Sequence, residues 1–279
     1  DRERTEGEVM DLEHAVAVPM KSPINVINGS YADAASSSVV VIAAGKATGG
    51  SDTSRLDLLD ANAPIVREIV GKLKKEGFDG VIVMATNPVD LLVQVALEET
   101  GLPTGQIVGT GTLVDTARLR GMLAEAFDIE PRGVDADIIG EHGDSEVAVW
   151  SGARIAGVPL LRHSDSGEAR DLDRMLERVR RAAPEVVRRK GHTVYAIGLC
   201  VQRICEAVLR NEHAVIAVST VLDGEYGRTD VCLGTPCVVG KNGIERIIEL
   251  DLDEEERKAL HRSAETLRRL NPRLSAGAA

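Results

Sequence analysis

A chain of 279 residues is long enough to bury a large core, in one large domain or in two. Its formal net charge of −11 and pI of about 5.1 exclude a basic nucleic-acid-binding surface, so a few local Arg or Lys side chains must hold any anionic ligand. Apolar runs fall short of the roughly 18–20 residues that span a bilayer, and no apolar signal segment follows the charged start at Asp1. The sequence therefore predicts a cytoplasmic protein without a membrane partner.

The four cysteines are candidates for a metal site or for plain buried thiols. Their spacing lacks the Cys-x-x-Cys pattern of a zinc site; the residues are Cys200, Cys205, Cys232 and Cys237. We therefore expect small buried or half-buried thiols and no metal site.

Strand-like and helix-like segments alternate over the first 109 residues. Apolar, β-branched runs that end on glycine or before Asn87-Pro88 predict buried parallel strands, and amphipathic segments between them predict helices. The predicted strands are 37–45, 80–85 and 106–109, and the predicted helices are 56–75 and 88–100. This order predicts a doubly wound parallel sheet.

The second half of the chain changes character. Helical patterns cover 116–127, 172–190, 193–210 and 252–270, and strand patterns cover 134–140, 147–150, 214–219 and 231–234. The two pairs of strand patterns are expected to be antiparallel, the first pair around a turn. The sequence thus predicts an α+β domain following the parallel sheet.

The turn at 140–146 carries the most informative candidate, His142, between two glycines after an apolar strand. Histidine titrates near neutral pH, so it suits proton exchange in both directions. A histidine in a turn is more often structural, and metal binding is also open, although no second His or Cys lies nearby at ligand spacing.

Two further segments carry candidate charges. Asp115 and Arg118 lie three residues apart at a helix start, hence on one face; they form either a surface salt bridge or a carboxylate that orients His142 beside a guanidinium that grips a carboxylate. The loop 46–55 is either a plain surface loop or a lid that carries Arg55 onto a bound substrate.

Taken together, the segments resemble the lactate and malate dehydrogenase superfamily. The motifs occur in the family's order from the first residue nearly to the last, which makes a chance match very improbable. They are Gly140-Glu141-His142-Gly143-Asp144-Ser145, Val114-Asp115-Thr116-Ala117-Arg118, Thr86-Asn87-Pro88-Val89-Asp90 and Ser54-Arg55-Leu56-Asp57-Leu58.

The resemblance implies a catalytic role for three of these residues and a substrate-binding role for a fourth. His142 would give a proton to a 2-oxo oxygen as hydride arrives, and Asp115 would fix its tautomer. Arg118 would bind the substrate carboxylate through two hydrogen bonds. Arg55 would close over the site, polarise the carbonyl and help to exclude water.

The cofactor implied by the resemblance is NAD, which carries the hydride. Asn87 would contact the substrate and the nicotinamide side of NAD, Gly45 would contact the cofactor at a strand end, and Thr193 and Ile197 would line the pocket.

The implied fold is α/β, with a Rossmann-type dinucleotide-binding domain at 1–109 and an α+β substrate domain at 110–279. The family's first strand, Gly-x-Gly-x-x-Gly turn and following acidic residue have no counterpart here; we expect the matching βαβ unit, of about 30 residues, to lie before Asp1.

The implied activity is that of an NAD-dependent L-2-hydroxyacid dehydrogenase, with L-lactate and pyruvate first, larger aliphatic acids of the hydroxyisocaproate type as an alternative, and malate last. The lid position that would face the substrate side chain falls on Thr48 or Gly49, neither of which supplies a charge. A catalytically silent binding relative is the alternative from a different class.

The family also implies a homodimer or homotetramer. Asp135 stands where bisphosphate-activated members carry histidine, so no such activation is expected.

Overall fold

The computed structural model describes residues 2–18, 24–46, 54–166 and 171–270. Two helices precede the first strand, and strands and helices then alternate. The elements are α1 (Arg2–Ala17), α2 (Tyr31–Ala35), β1 (Val39–Ile42), α3 (Arg55–Lys75), β2 (Val81–Met84), α4 (Val89–Thr100) and β3 (Ile107–Gly109). The three strands are parallel in the order β1-β2-β3. The three predicted strands and two predicted helices of this half are therefore confirmed, whereas α1 and α2 were not predicted.

Local chemistry sets the ends of these helices. Ser54 and Asp57 form a reciprocal capping box at the start of α3, which satisfies backbone N–H groups that the first turn leaves unpaired. Helix α4 follows Pro88, which has no backbone N–H to donate, and ends at Gly101 in the left-handed conformation.

The second half contains four helices together with strands and short hairpins. Its elements are α5 (Leu113–Phe127), β4 (Val134–Asp135), β5 (Ile138–Ile139), β6 (Val147–Ala148), β7 (Arg154–Ile155), β8 (Val158–Pro159), α6 (Leu172–Lys190), α7 (Tyr195–Leu209), β9 (Ala214–Asp223), β10 (Thr229–Gly240), β11 (Gly243–Ile247) and α8 (Glu254–Leu270). The four helices and the two antiparallel pairs, β5 with β6 and β9 with β10, were predicted.

The predicted single strand over 134–140 is wrong. It is two short strands, β4 and β5, that belong to different sheets. Between them the Arg120 side chain binds the Ala136 carbonyl at 2.8 Å and the Asp137 carboxylate at 2.9 Å, so a side chain supplies hydrogen bonds where the two strands separate.

The main sheet continues across the predicted boundary between residues 109 and 110. Its order is β1-β2-β3-β9-β10-β11, and β9 joins β3 antiparallel where Ser219 pairs with Gly109. The strands of the second half therefore extend the parallel sheet, and the C-terminal hairpin is part of the same layer.

Helices cover both faces of the sheet. Alternate residues of β2 point to opposite sides, as a strand's period of two requires: Ile82 and Met84 pack with α3 and α4, whereas Val81 and Val83 pack with Ile204 and neighbours of α7. The doubly covered α/β fold predicted from the sequence is confirmed.

The cysteines are free thiols, of which Cys205 is half-buried and the other three are buried, as predicted. None of the helices in the described part of the chain combines the length and the apolar character needed to cross a membrane.

Candidate active site

The turn that carries His142 is held in place by the sheet and by α8. Gly140 exchanges two backbone hydrogen bonds of 2.8 Å with Gly234 of β10, and has φ +91°, a conformation that favours glycine. A Cβ at Gly140 would lie 2.7 Å from the Ser263 hydroxyl, and that hydroxyl accepts the Glu141 N–H at 2.8 Å. The backbone on the N-terminal side of His142 is thus fixed by long-range contacts.

Asp90, in the first turn of α4, anchors the backbone of His142. Its Oδ2 accepts the His142 N–H at 2.9 Å, and its Oδ1 accepts the Ser219 hydroxyl of β9. Burial raises the pKa of Asp90 above its ordinary value, against the opposing effect of these hydrogen bonds. One buried carboxyl therefore connects the histidine turn to a helix and to the main sheet.

The imidazole of His142 contacts a buried carboxylate of α5. Asp115 Oδ2 lies 2.5 Å from His142 Nδ1, and Asp115 Oδ1 accepts from Arg118 Nη1 at 2.7 Å. Burial opposes the charge on Asp115, but His142 and Arg118 outweigh it and hold its pKa below the ordinary value. Burial likewise opposes the charge on His142, and Asp115 outweighs it, so the histidine pKa is raised.

The geometry therefore brings together three of the predicted residues, in the order Arg118, Asp115, His142. The guanidinium of Arg118 makes no further hydrogen bond to the residues that the structure describes, and its side chain is 19% exposed. Its remaining N–H groups are available to an anion, and its planar fork suits a carboxylate.

Arg55, the first residue of α3, lies against the histidine turn. Its guanidinium forms an ion pair with buried Glu141 and comes within 3.8 Å of the Asp144 carboxylate. Gly143 leaves room for it, because a Cβ there would overlap the guanidinium. The predicted lid lies outside the described residues over 47–53, which includes Thr48 and Gly49.

Gly45 and Asn87 follow β1 and β2 at the carboxyl edge of the sheet, where ligands of such folds bind. The Asn62 side chain joins the two strand ends: it accepts the Lys46 N–H at 2.7 Å and donates to the Asn87 carbonyl at 2.8 Å. A Cβ at Gly45 would lie 2.7 Å from Thr86, so the strand end tolerates only glycine. The Asn87 carboxamide is exposed at this edge.

Thr193 and Ile197 lie at the start of α7, Thr193 exposed before the helix and Ile197 half-buried within its first turn. Helix α7 packs against α5, which carries Asp115 and Arg118. Among the described residues, the Thr193 side chain makes no hydrogen bond to Asp115, Arg118 or His142.

Sequence reasoning assigned no role to Asp90, Glu141 or Glu146, all of which are buried around the histidine turn. The sequence did contain a signal for Asp90, which is a lone carboxylate at an otherwise apolar helix start. A charged residue buried in such a place needs a partner, so its position indicates a structural or functional contact. Glu146 has a pKa raised to about 8, by burial first and then by the charge of Asp115.

Family models match both halves of the chain. Residues 1–109 match the lactate/malate dehydrogenase NAD binding domain, and residues 112–272 match the lactate/malate dehydrogenase alpha/beta C-terminal domain.

Individual proteins are similar along nearly the whole chain. An L-lactate dehydrogenase of Synechococcus sp. is 44% identical over 97% of this chain and 87% of its own length. L-lactate dehydrogenase 1 of Staphylococcus aureus is 44% identical over 96% of this chain and 84% of its own length. The crystal structure of a minor L-lactate dehydrogenase of Enterococcus mundtii, in its ligands-bound form, superposes with a TM-score of 0.92 at 38% identity, covering 99% of this chain and 87% of that one.

Proposed function

The chain belongs to the lactate/malate dehydrogenase family, and we propose that it is an NAD-dependent dehydrogenase that interconverts L-lactate and pyruvate. The observation that carries the proposal is the alignment of His142, Asp115 and Arg118, a titratable ring held by a buried carboxylate beside a guanidinium with free N–H groups. A catalytically silent relative would not require this arrangement.

The proton moves at His142. Asp115 accepts the hydrogen bond from Nδ1, so Nε2 is the nitrogen that gives a proton to the 2-oxo oxygen of pyruvate and takes it back from lactate. Asp115 raises the pKa of His142 against the opposing effect of burial, and a raised pKa favours the protonated ring that the reduction direction needs. Asp90 keeps the ring in position by binding the backbone N–H.

Arg118 binds the carboxylate of the substrate. Asp115 occupies one side of its guanidinium, and the other N–H groups bind the two carboxylate oxygens in a planar, bidentate geometry. The same aspartate therefore orients both the proton donor and the anchor of the substrate.

Arg55 polarises the substrate carbonyl when the site closes. Its position on the first residue of α3, directly after the lid segment, lets it exchange its ion pair with Glu141 for the developing charge on the substrate oxygen.

NAD, when bound, supplies or accepts the hydride at the substrate's second carbon. The residues at the carboxyl edge of the sheet fit its nicotinamide end: Gly45 ends β1 without a side chain, packed against Thr86, and Asn87 is exposed after β2. Ile197 offers an apolar surface to the ring, and Thr193 lies beside the substrate side chain. We assign 1–109 to the dinucleotide-binding domain and 110–279 to the substrate domain.

The protein acts as a homodimer or homotetramer in this proposal. Helix α1 has no buried residue although it spans 16 residues, and Met10 and Leu12 are more than half exposed. Tyr195 and Leu199 of α7 are also exposed, at 80% and 66%. Apolar side chains of this size are expected to be covered by a second copy.

The test is the oxidation of NADH by the purified full-length protein with pyruvate, 2-oxoisocaproate and oxaloacetate. We expect kcat/KM to be highest for pyruvate, and oxaloacetate to be poor because neither Thr48 nor Gly49 supplies a cation for a second buried carboxylate. A preference for 2-oxoisocaproate would assign the enzyme to the branched-acid type, and no turnover of any 2-oxo acid would refute the dehydrogenase.

A further inference from the structure

Glu146 is a buried carboxyl at the end of the histidine turn. The whole residue is only 2% exposed to solvent. Its N–H donates to the Gly143 carbonyl at 3.1 Å, and its own carbonyl accepts from Arg180 Nη2 of α6 at 2.7 Å. The backbone of Glu146 is therefore held tightly on both sides, four residues after His142.

One oxygen of the carboxyl group is not satisfied. Glu146 Oε1 is buried and has no hydrogen-bond partner among the described residues, and the same holds for Arg180 Nε of α6. An incompletely paired buried carboxylate is costly, so such a group favours the neutral acid. A buried carboxyl with an unpartnered oxygen, four residues after the proposed proton donor, requires another explanation.

Charged groups from several elements surround Glu146 and His142. Asp115 and Arg118 from α5, His142 from the turn and Arg180 from α6 act on Glu146. Asp115, Asp90 from α4 and Glu146 itself act on His142. Arg55 from α3, paired with Glu141, acts on Asp90.

Given the function proposed above, we propose that Glu146 is a positioning residue that sets the upper end of the pH range in which His142 keeps its proton. At neutral pH its carboxyl is neutral and the imidazole is held by Asp115. As the pH rises the carboxyl ionises, and the new negative charge stabilises the imidazolium against deprotonation.

The direction of the effect follows from the charges. The pKa of Glu146 is raised to about 8 by its burial, so its negative charge is present only in alkaline solution. That charge raises the pKa of His142 further. The enzyme therefore retains its ability to reduce a 2-oxo acid at a higher pH than the pair of Asp115 and His142 alone would allow.

The substitution Glu146→Gln tests this, because glutamine keeps the shape and removes the titrating charge. We expect the alkaline limb of kcat/KM for pyruvate reduction to move down by about one pH unit, about tenfold in rate at a fixed pH on that limb. Lactate oxidation needs neutral His142, so its acidic limb should move down by a similar amount. Below about pH 7 the reduction rates of the two proteins should agree within a factor of about three.

Two further variants separate electrostatics from folding. Arg180→Gln removes a cation that favours ionised Glu146, so it should shift both limbs in the same direction by a smaller amount. Glu256→Gln removes another buried carboxylate, which binds the Ser151 and Asp253 backbone, and should leave both limbs in place. If Glu146→Gln does not fold, infrared titration of the wild-type protein should show a buried protonated carboxyl that disappears near pH 8.

The two proposals fail in different ways. Loss of turnover with all 2-oxo acids in the wild-type protein refutes the dehydrogenase. Normal wild-type turnover with both limbs unmoved in Glu146→Gln, or moved in opposite directions, refutes the role of Glu146 and leaves the dehydrogenase intact.

Discussion

Replacing Asp115 with asparagine is the most informative single change, because its carboxylate holds both His142 and Arg118. Asparagine keeps the size of the side chain and removes its charge. Hydrogen bonds to charged groups contribute about 1.5–3 kcal/mol and neutral ones about 0.5–1.5 kcal/mol. The imidazolium therefore loses about 1–2 kcal/mol of stabilisation, which lowers the pKa of His142.

The kinetic effect should exceed this pKa change. An amide also donates hydrogen bonds, so it can favour the wrong tautomer of His142 and leave Nε2 without its proton. We expect kcat/KM for pyruvate to fall by about 10²-fold or more, near the usual contribution of a general acid. The alkaline limb of the reduction profile should also move to lower pH, while NADH affinity stays close to that of the wild type.

The pH dependence of the free energy of unfolding supplies an independent measurement, because the direction of each pKa shift fixes where stability is lost. The pKa of Asp115 is lowered in the fold, so its contribution is present above about pH 4 and is lost as the pH falls through its folded value. The pKa of His142 is raised, so its contribution is present below about pH 6.5 and is lost as the pH rises through its folded value. Urea unfolding should show the largest loss for Asp115→Asn between about pH 4 and pH 6.5.

The reasoning would be refuted by an Asp115→Asn enzyme whose kcat/KM for pyruvate lies within a factor of about three of wild type and whose pH profile is unchanged. A stability loss that is independent of pH would show that Asp115 acts by packing rather than by charge.

Three other substitutions or additions test single parts of the site. His142→Ala should lower kcat by about 10²–10⁴-fold with NADH binding retained, and near-normal turnover would exclude His142 as the proton donor. Arg118→Lys should mainly raise KM for pyruvate, because lysine cannot copy a two-bond planar contact; equal binding of oxamate by variant and wild type would exclude Arg118 as the anchor. Fructose 1,6-bisphosphate should not activate the enzyme, since Arg120 is bound by Asp137 at 2.9 Å and by Asp135 at 3.8 Å; a large fall in KM for pyruvate on adding it would contradict this.

The parallel strands were predictable because each is a short apolar run rich in β-branched residues, although only β2 and β3 are buried along their whole length and Val41 of β1 is exposed. The cluster of His142, Asp115 and Arg118 was also predictable, since motif order and helix spacing state which side chains share a face. In contrast, residues 134–140 divide between two sheets, and the Arg120 side chain bonds to Ala136 between them, a contact that periodicity does not encode.

The anchoring of His142 by Asp90 could not be predicted for a related reason. The two residues lie 52 positions apart, and a buried carboxylate shows in a sequence only as a lone charge among apolar neighbours. Its partners depend on how β9 pairs with β3, and strand patterns state that a strand forms without stating which strand it joins. Likewise, the burial of Glu146 depends on the packing of α6 over the turn.

The bond between Ser219 and Asp90 joins residues 129 positions apart. During synthesis on the ribosome, the turn of His142 emerges long before the strand that carries Ser219, so the anchor of the histidine stays incomplete until most of the chain has left the exit tunnel. Contacts between such distant residues form late because a long loop must close first. The three parallel strands β1 to β3 are therefore synthesised early, whereas the contacts that fix His142 can be completed only after β9 has been made.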